Sequence, residues 1–250
     1  MELDLWFFAL AVPATIFAAV SKSGFGSGAA FAAASILALV IPPGLALGIM
    51  LPLLMLIDVA SLRTYWGKWA WRDGTLIILG SLPGVVIGAL LYQIANADVL
   101  RFLIGVISIG FVLWQGLRTQ GWFSGDGRSL GTKAGLTAGT VAGFTSFISH
   151  AGGPPVAIYL LARGLDKTTY QATTILSFWA INVFKAVPYT FLGIFTLETL
   201  KIDLILAPFA LLGTWLGIKA HHLVPEKPFF ALTYALLIGT GVKLIFDAVT

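Results

Sequence analysis

The chain has 250 residues, of which 58% are hydrophobic and 10% charged, with a net charge of +4 and a mean hydropathy of +0.94. That is more apolar surface than one water-soluble core of this length can hide, so the chain reads as a polytopic membrane protein. The absence of cysteine excludes disulfides, thiolate metal sites and cysteine nucleophiles, and no basic cluster is long enough for a nucleic-acid footprint.

Ten helical segments are predicted in chain order: A 3–21, B 27–41, C 44–65, D 74–96, E 99–118, F 132–148, G 154–163, H 168–192, I 199–219 and J 228–248. Most approach the ~20 apolar residues that a ~30 Å hydrocarbon layer demands, and the short alternating strands of a membrane barrel are absent. B and G are short, so A–B and F–G read either as full crossings or as re-entrant hairpins; orientation downstream is the same either way. The opening MELDLW is acidic and no small-residue cleavage pattern follows, so helix A is expected to be retained.

The one long polar connection, RTQGWFSGDGRSLGTK at 118–133, divides the chain into a first transmembrane repeat at 1–120, a cytoplasmic linker at 121–131 and a second repeat at 132–250. The halves align with an offset near 124 in C and H, which sets Asp58 on Asn182 and Tyr65 on Tyr189. In D and I the offset is 125, with Pro83 on Pro208 and Gly88 on Gly213. Near the Gly-rich stretches it is 126, with Gly26-Ser27-Gly28 on Gly152-Gly153-Pro154. Loops AB, CD, EF, GH and IJ hold eleven Lys and Arg, Lys22 among them, against three in the opposite set. The positive-inside rule then places both termini outside. Five segments per half make the second half inverted, so the expected fold is all-α with two inverted-topology repeats and broken or re-entrant helices.

Two stretches break the apolar pattern, FAAVSKSGFGSG at 17–28 and FTSFISHAGGPP at 144–155. Non-helical backbone at membrane depth is tolerated only inside protein or beside a water-filled cavity, and a half-helix N-terminus favours an anion. The candidate binding residues are Ser23, Gly24, Gly26, Ser27 and Gly28 in the first break, and Ser149, His150, Gly152 and Gly153 in the second. Asn182 and Lys185 on H join them; an intramembrane Lys normally faces the bundle interior with a partner or substrate. The bland alternatives are small-residue helix packing for the breaks, snorkelling for Lys185 and a satisfied hydrogen-bonding role for His150. Asp58 is a candidate coupling carboxylate, or a simple partner of Lys185 or Arg63. No metal site is expected, since His221-His222 has no third ligand at suitable spacing, and no cofactor is expected. GFGSG is not G-x-S-x-G, and there is no Walker A pattern.

The paired Gly-rich breaks, the run GFTSFISHAGGPPVAIYLLARGLDKTTYQATTILSFWAINVFKAVPY and the two-fold repeat together resemble the TauE/SafE family of sulfite exporters. The resemblance covers the whole chain, although Phe25 and Ser27 interrupt the fuller glycine run of the family. It implies a permease for a small sulfur-containing anion such as sulfite, sulfoacetate or a related organosulfonate. The expectation is a secondary transporter working by alternating access, directed to export, in a bacterial cytoplasmic membrane. An uncoupled anion channel or an uptake permease for another anion is the alternative. The expected partners are the anion and the lipid bilayer, with a homodimer left open, and an enzyme is not expected.

Overall fold

A computed structural model of the chain describes residues 5–25, 30–120, 130–223 and 226–250, and all its elements among these residues are helices. They are α1 (Leu5–Gly24), α2 (Ala32–Leu37), α3 (Pro43–Tyr65), α4 (Trp71–Ile94), α5 (Ala97–Thr119), α6 (Thr132–Ser149), α7 (Gly153–Ala162), α8 (Lys167–Phe191), α9 (Leu197–Leu223) and α10 (Glu226–Val249). Each predicted segment finds its helix. Segment B shortens to the six residues of α2, and its predicted start lies outside the described residues.

Local chemistry sets several ends. Pro43 stands in the first turn of α3, where the N–H it lacks would have no helical partner. The Asp166 carboxylate accepts from the N–H groups of Thr168 and Thr169 and so caps α8. His150 ends α6 in the left-handed region, φ 56°, and it is the only non-glycine residue with positive φ among those described.

Among the described residues six helices, α1, α3, α4, α5, α9 and α10, are long and apolar enough to cross a membrane. Their outward faces are rich in exposed apolar side chains such as Val86 and Leu90 on α4 and Leu204 and Leu212 on α9. A bilayer can solvate that surface, whereas water would penalise it.

In lipid, helices associate through close packing, which favours small residues at the contact. A Cβ on Gly84 would stand 2.0 Å from the Thr140 carbonyl oxygen, and one on Gly80 would stand 2.4 Å from that of Leu136, so α4 and α6 touch backbone to backbone. Gly24, Gly213 and Gly217 bring α1 and α9 together in the same way. The main pairings are α4 on α6 and α1 on α9, α3 on α9 and α8 on α4, with α5 on α10 and α3 on α8. Shifting every helix by five places returns this same set. The two halves are therefore interlocked, each lending a helix to the broken helix of the other.

Lys22 stands elsewhere than the charge count assumed. It lies in the last turn of α1 and is only 3% exposed, so it belongs to the interior and drops out of the count of eleven, which becomes ten against three.

Candidate functional site

The interlocking brings the end of α1, the end of α6, the start of α7 and the middles of α3 and α8 to one place. Lys22 Nζ of α1 forms an ion pair with Asp58 Oδ1 of α3 at 2.9 Å. Asn182 of α8 donates its amide to Asp58 Oδ2 at 3.0 Å. Asp58 is fully buried and Asn182 is 2% exposed. Asp58 and Asn182, which the 124-residue offset sets against each other, thus touch. The partner of Asp58 is Lys22, and not Lys185 or Arg63 as the spacing alone allowed.

A second network lies beside the first. Lys185 Nζ is 2.9 Å from both Ser146 O and Ser146 Oγ and 2.8 Å from His150 Nδ1. His150 Nε2 is 3.2 Å from the Leu47 carbonyl oxygen. A carbonyl can only accept, so Nε2 carries the proton, and Nδ1 then accepts from the Lys185 ammonium. A fully protonated ring would turn an N–H toward the ammonium. The geometry therefore fits neutral His150 whose Nδ1 accepts from the Lys185 amino group.

Lys22, Ser146, His150, Gly153 and Asn182 line one small cavity, together with Phe178, whose ring centroid is 4.9 Å from Lys22 Nζ. It leaves about 10 Å³ for the centre of a water-sized particle, about one molecule's worth. Two lysine amino groups and one carboxylate are buried together here, a basic excess that favours a small anion once the walls move apart.

Other candidates have different surroundings. Ser23 Oγ donates to Ala19 O and Thr214 O, and Gly24 packs against Gly217, so both serve the α1–α9 contact. Ser149 Oγ donates to Thr145 O, and Gly152 packs against Phe178 and Ala142. Gly26, Ser27 and Gly28 lie outside the described residues. Lys22 and Ser146 are the members that the sequence reading did not place here. The 126-residue offset read from the glycines hid them; the 124 of segments C and H, carried into the ends of α1 and α6, sets Lys22 on Ser146 as it sets Ser61 on Lys185.

Two buried tyrosines bond the backbone beside the site. Tyr65 donates to Ser23 O, which together with Lys22 O also accepts from the Gln171 amide, while Tyr189 donates to Phe147 O. Beyond Tyr189, the rings of Phe147 and Tyr92 lead to a hollow of about 370 Å³ lined by Pro42, Gly44, Tyr92, Gly193 and Thr196. Farther away, Tyr159 and Arg163 converge on Asp73 Oδ1 at 2.6 and 3.0 Å, which ties the end of α7 to the first turn of α4.

The fold defines a multi-pass α-helical membrane protein with a charged, buried site between its halves. The family model described as sulfite exporter TauE/SafE matches residues 11–244, nearly the whole chain. The chain belongs to this family, whose members are membrane transporters and not enzymes. No curated protein and no solved structure matches it.

Proposed function

We propose that the protein is a secondary transporter that carries a small sulfur-containing anion, sulfite, sulfoacetate or a related organosulfonate, out across a bacterial cytoplasmic membrane by alternating access. The observation that carries this reading is the small buried cavity lined by Lys22 of the first half and by Ser146, His150 and Asn182 of the second, with the buried Lys185 bonded behind it to Ser146 and His150. A buried cation is expensive in a membrane unless it is paired or serves a charged substrate. Family membership supports an anion as cargo.

The reading takes the two halves as inverted repeats, in support of which the helix pairings recur on a five-place shift. In the expected topology Tyr65 faces the cytoplasmic mouth and Tyr189 the outer mouth, and the hollow beside Tyr92 is the outer vestibule. Opening alternates between them, as rocking of one repeat against the other about a central site requires. A cavity with room for about one water favours a carrier over an open channel.

The test is flux in liposomes. The purified protein releases labelled sulfite or sulfoacetate and can build a gradient of one anion at the expense of another; Lys185→Met loses at least about tenfold of the rate, as expected when a buried charged contact is removed. Normal flux by Lys185→Met, or flux that never accumulates anion against a gradient, overturns the carrier mechanism.

A further inference from the structure

Lys22 and Lys185 are not equivalent. Lys185 has three acceptors around its ammonium, whereas the one oxygen within bonding distance of Lys22 Nζ among the described residues is Asp58 Oδ1. Lys22 also stands at the end of α1, on a broken helix, while Asp58 sits mid-way along α3. A movement of α1 that widens the cavity therefore separates this pair first. The cavity as it stands cannot hold a four-atom oxyanion, so such a movement must accompany loading.

We propose that Asp58 is a built-in counter-anion: it occupies Lys22 when the carrier is empty, yields Lys22 to the substrate, and by returning lets the empty carrier close and reorient. This inference rests on the transporter reading above. Charge counting gives the reason. With both lysines charged, the empty site of Lys22, Lys185 and Asp58 carries about +1, and a bound monoanion such as hydrogen sulfite brings it to about zero. Without the Asp58 charge the empty site would carry about +2 with Lys22 unpaired, and enclosing an unpaired buried charge is strongly disfavoured. The same site loaded with a monoanion returns to about +1, the value at which the natural empty carrier closes. Asn182 keeps hold of Asp58 Oδ2, so the carboxylate stays beside the site while Lys22 is away.

The experiment compares wild type and Asp58→Asn in liposomes with labelled sulfite, in counterflow, with unlabelled sulfite on the other side, and in net efflux into sulfite-free buffer. Asp58→Asn should keep counterflow within about threefold and lose net efflux by about tenfold or more, because only the loaded form can still close. Asp58→Glu, which restores a carboxylate, should recover net efflux. Loss of both modes together, or survival of both, overturns the proposal.

A melt in detergent supplies a readout independent of flux. Asp58→Asn should melt below wild type in sulfite-free buffer and gain more from added sulfite than wild type does, since the added anion replaces the missing carboxylate. Where wild type carries sulfite, equal gain in the two proteins overturns the counter-anion role. Wild-type liposomes that carry no sulfite in either mode would instead refute sulfite as the cargo, and the role of Asp58 is then decided by the sulfite-free melt alone, in which Asp58→Asn falls below wild type and Asp58→Glu recovers; Asp58→Asn melting with wild type there overturns it.

Discussion

Tyr65 donates its hydroxyl to the carbonyl of Ser23 at 3.1 Å, and Tyr189 donates to that of Phe147 at 2.6 Å. Both the donors and the acceptors are 124 positions apart, the same separation as Asp58 and Asn182. Each hydroxyl ties the end of a broken helix, α1 or α6, to the third helix of its own half. Ser23 O has a second donor in Gln171 at 3.0 Å, which steadies the Tyr65 end. Loss of one buried hydrogen bond costs ~1–3 kcal/mol. Tyr189→Phe should therefore loosen its end by about tenfold and Tyr65→Phe by less. Because the chain has no cysteine, Leu54→Cys in the cavity wall provides a unique reporter. Its maleimide labelling rate should rise in the order wild type, Tyr65→Phe, Tyr189→Phe; unchanged rates would deny the tyrosines a closing role.

His150 combines two demands, a left-handed backbone and a ring acceptor for Lys185. Asn tolerates the left-handed region well, so His150→Asn should preserve the chain path while losing the acceptor placed at Nδ1. Sulfite flux should fall about tenfold with a small change in melting temperature. His150→Leu should melt lower than His150→Asn, because an apolar L-residue at positive φ costs ~1–2 kcal/mol more. Equal melting of the two variants would contradict this account of the turn.

Gly84 has no room for a side chain, while Gly110 has nothing within 4 Å of an added Cβ. Gly84→Ala should force α4 and α6 apart and cost ~1–3 kcal/mol, as overpacking does. Gly110→Ala should be neutral or slightly stabilising, because Ala is the better helix former. Thermal melts of the two variants in one detergent check the pair.

Asp166 caps α8 from the exposed turn that precedes it, and the side-chain and N–H groups of Thr169 hold its carboxyl below the usual carboxylate range. A depressed folded value means that the cap contributes fully above the unfolded value and is lost as pH falls through the folded one. The melting difference between wild type and Asp166→Ala should thus be constant near neutral pH and shrink in acid, below the ordinary carboxylate range. A difference that persists unchanged in acid would show that the carboxylate charge is not what caps the helix.

Hydropathy and punctuation are local properties, and they made the helices legible. Pro42-Pro43 starts α3 and the HAGGPP stretch ends α6 and opens α7, whatever surrounds them. Asn182 and Lys185 stood out because a polar or charged group deep in an apolar helix needs a reason in any fold. The 124-residue offset was readable in Asp58 and Asn182, and again in Tyr65 and Tyr189.

The partnerships were decided only in three dimensions. Whether Lys22 is a loop cation or a buried one turns on a single turn at the end of α1, and on the Asp58 carboxylate that waits on another helix. No local pattern encodes that meeting. It exists because glycines at 24, 213 and 217 let α1 lie backbone to backbone on α9, while α3 packs against both. The sequence by itself determined a helical membrane protein with two fractured helices and a buried lysine on α8. The tertiary structure decided that Lys22 would line one cavity, paired with Asp58, while Lys185 bonds the Ser146 and His150 of its wall, because contacts among residues more than a hundred positions apart depend on how helices pack and not on what stands beside them in the chain.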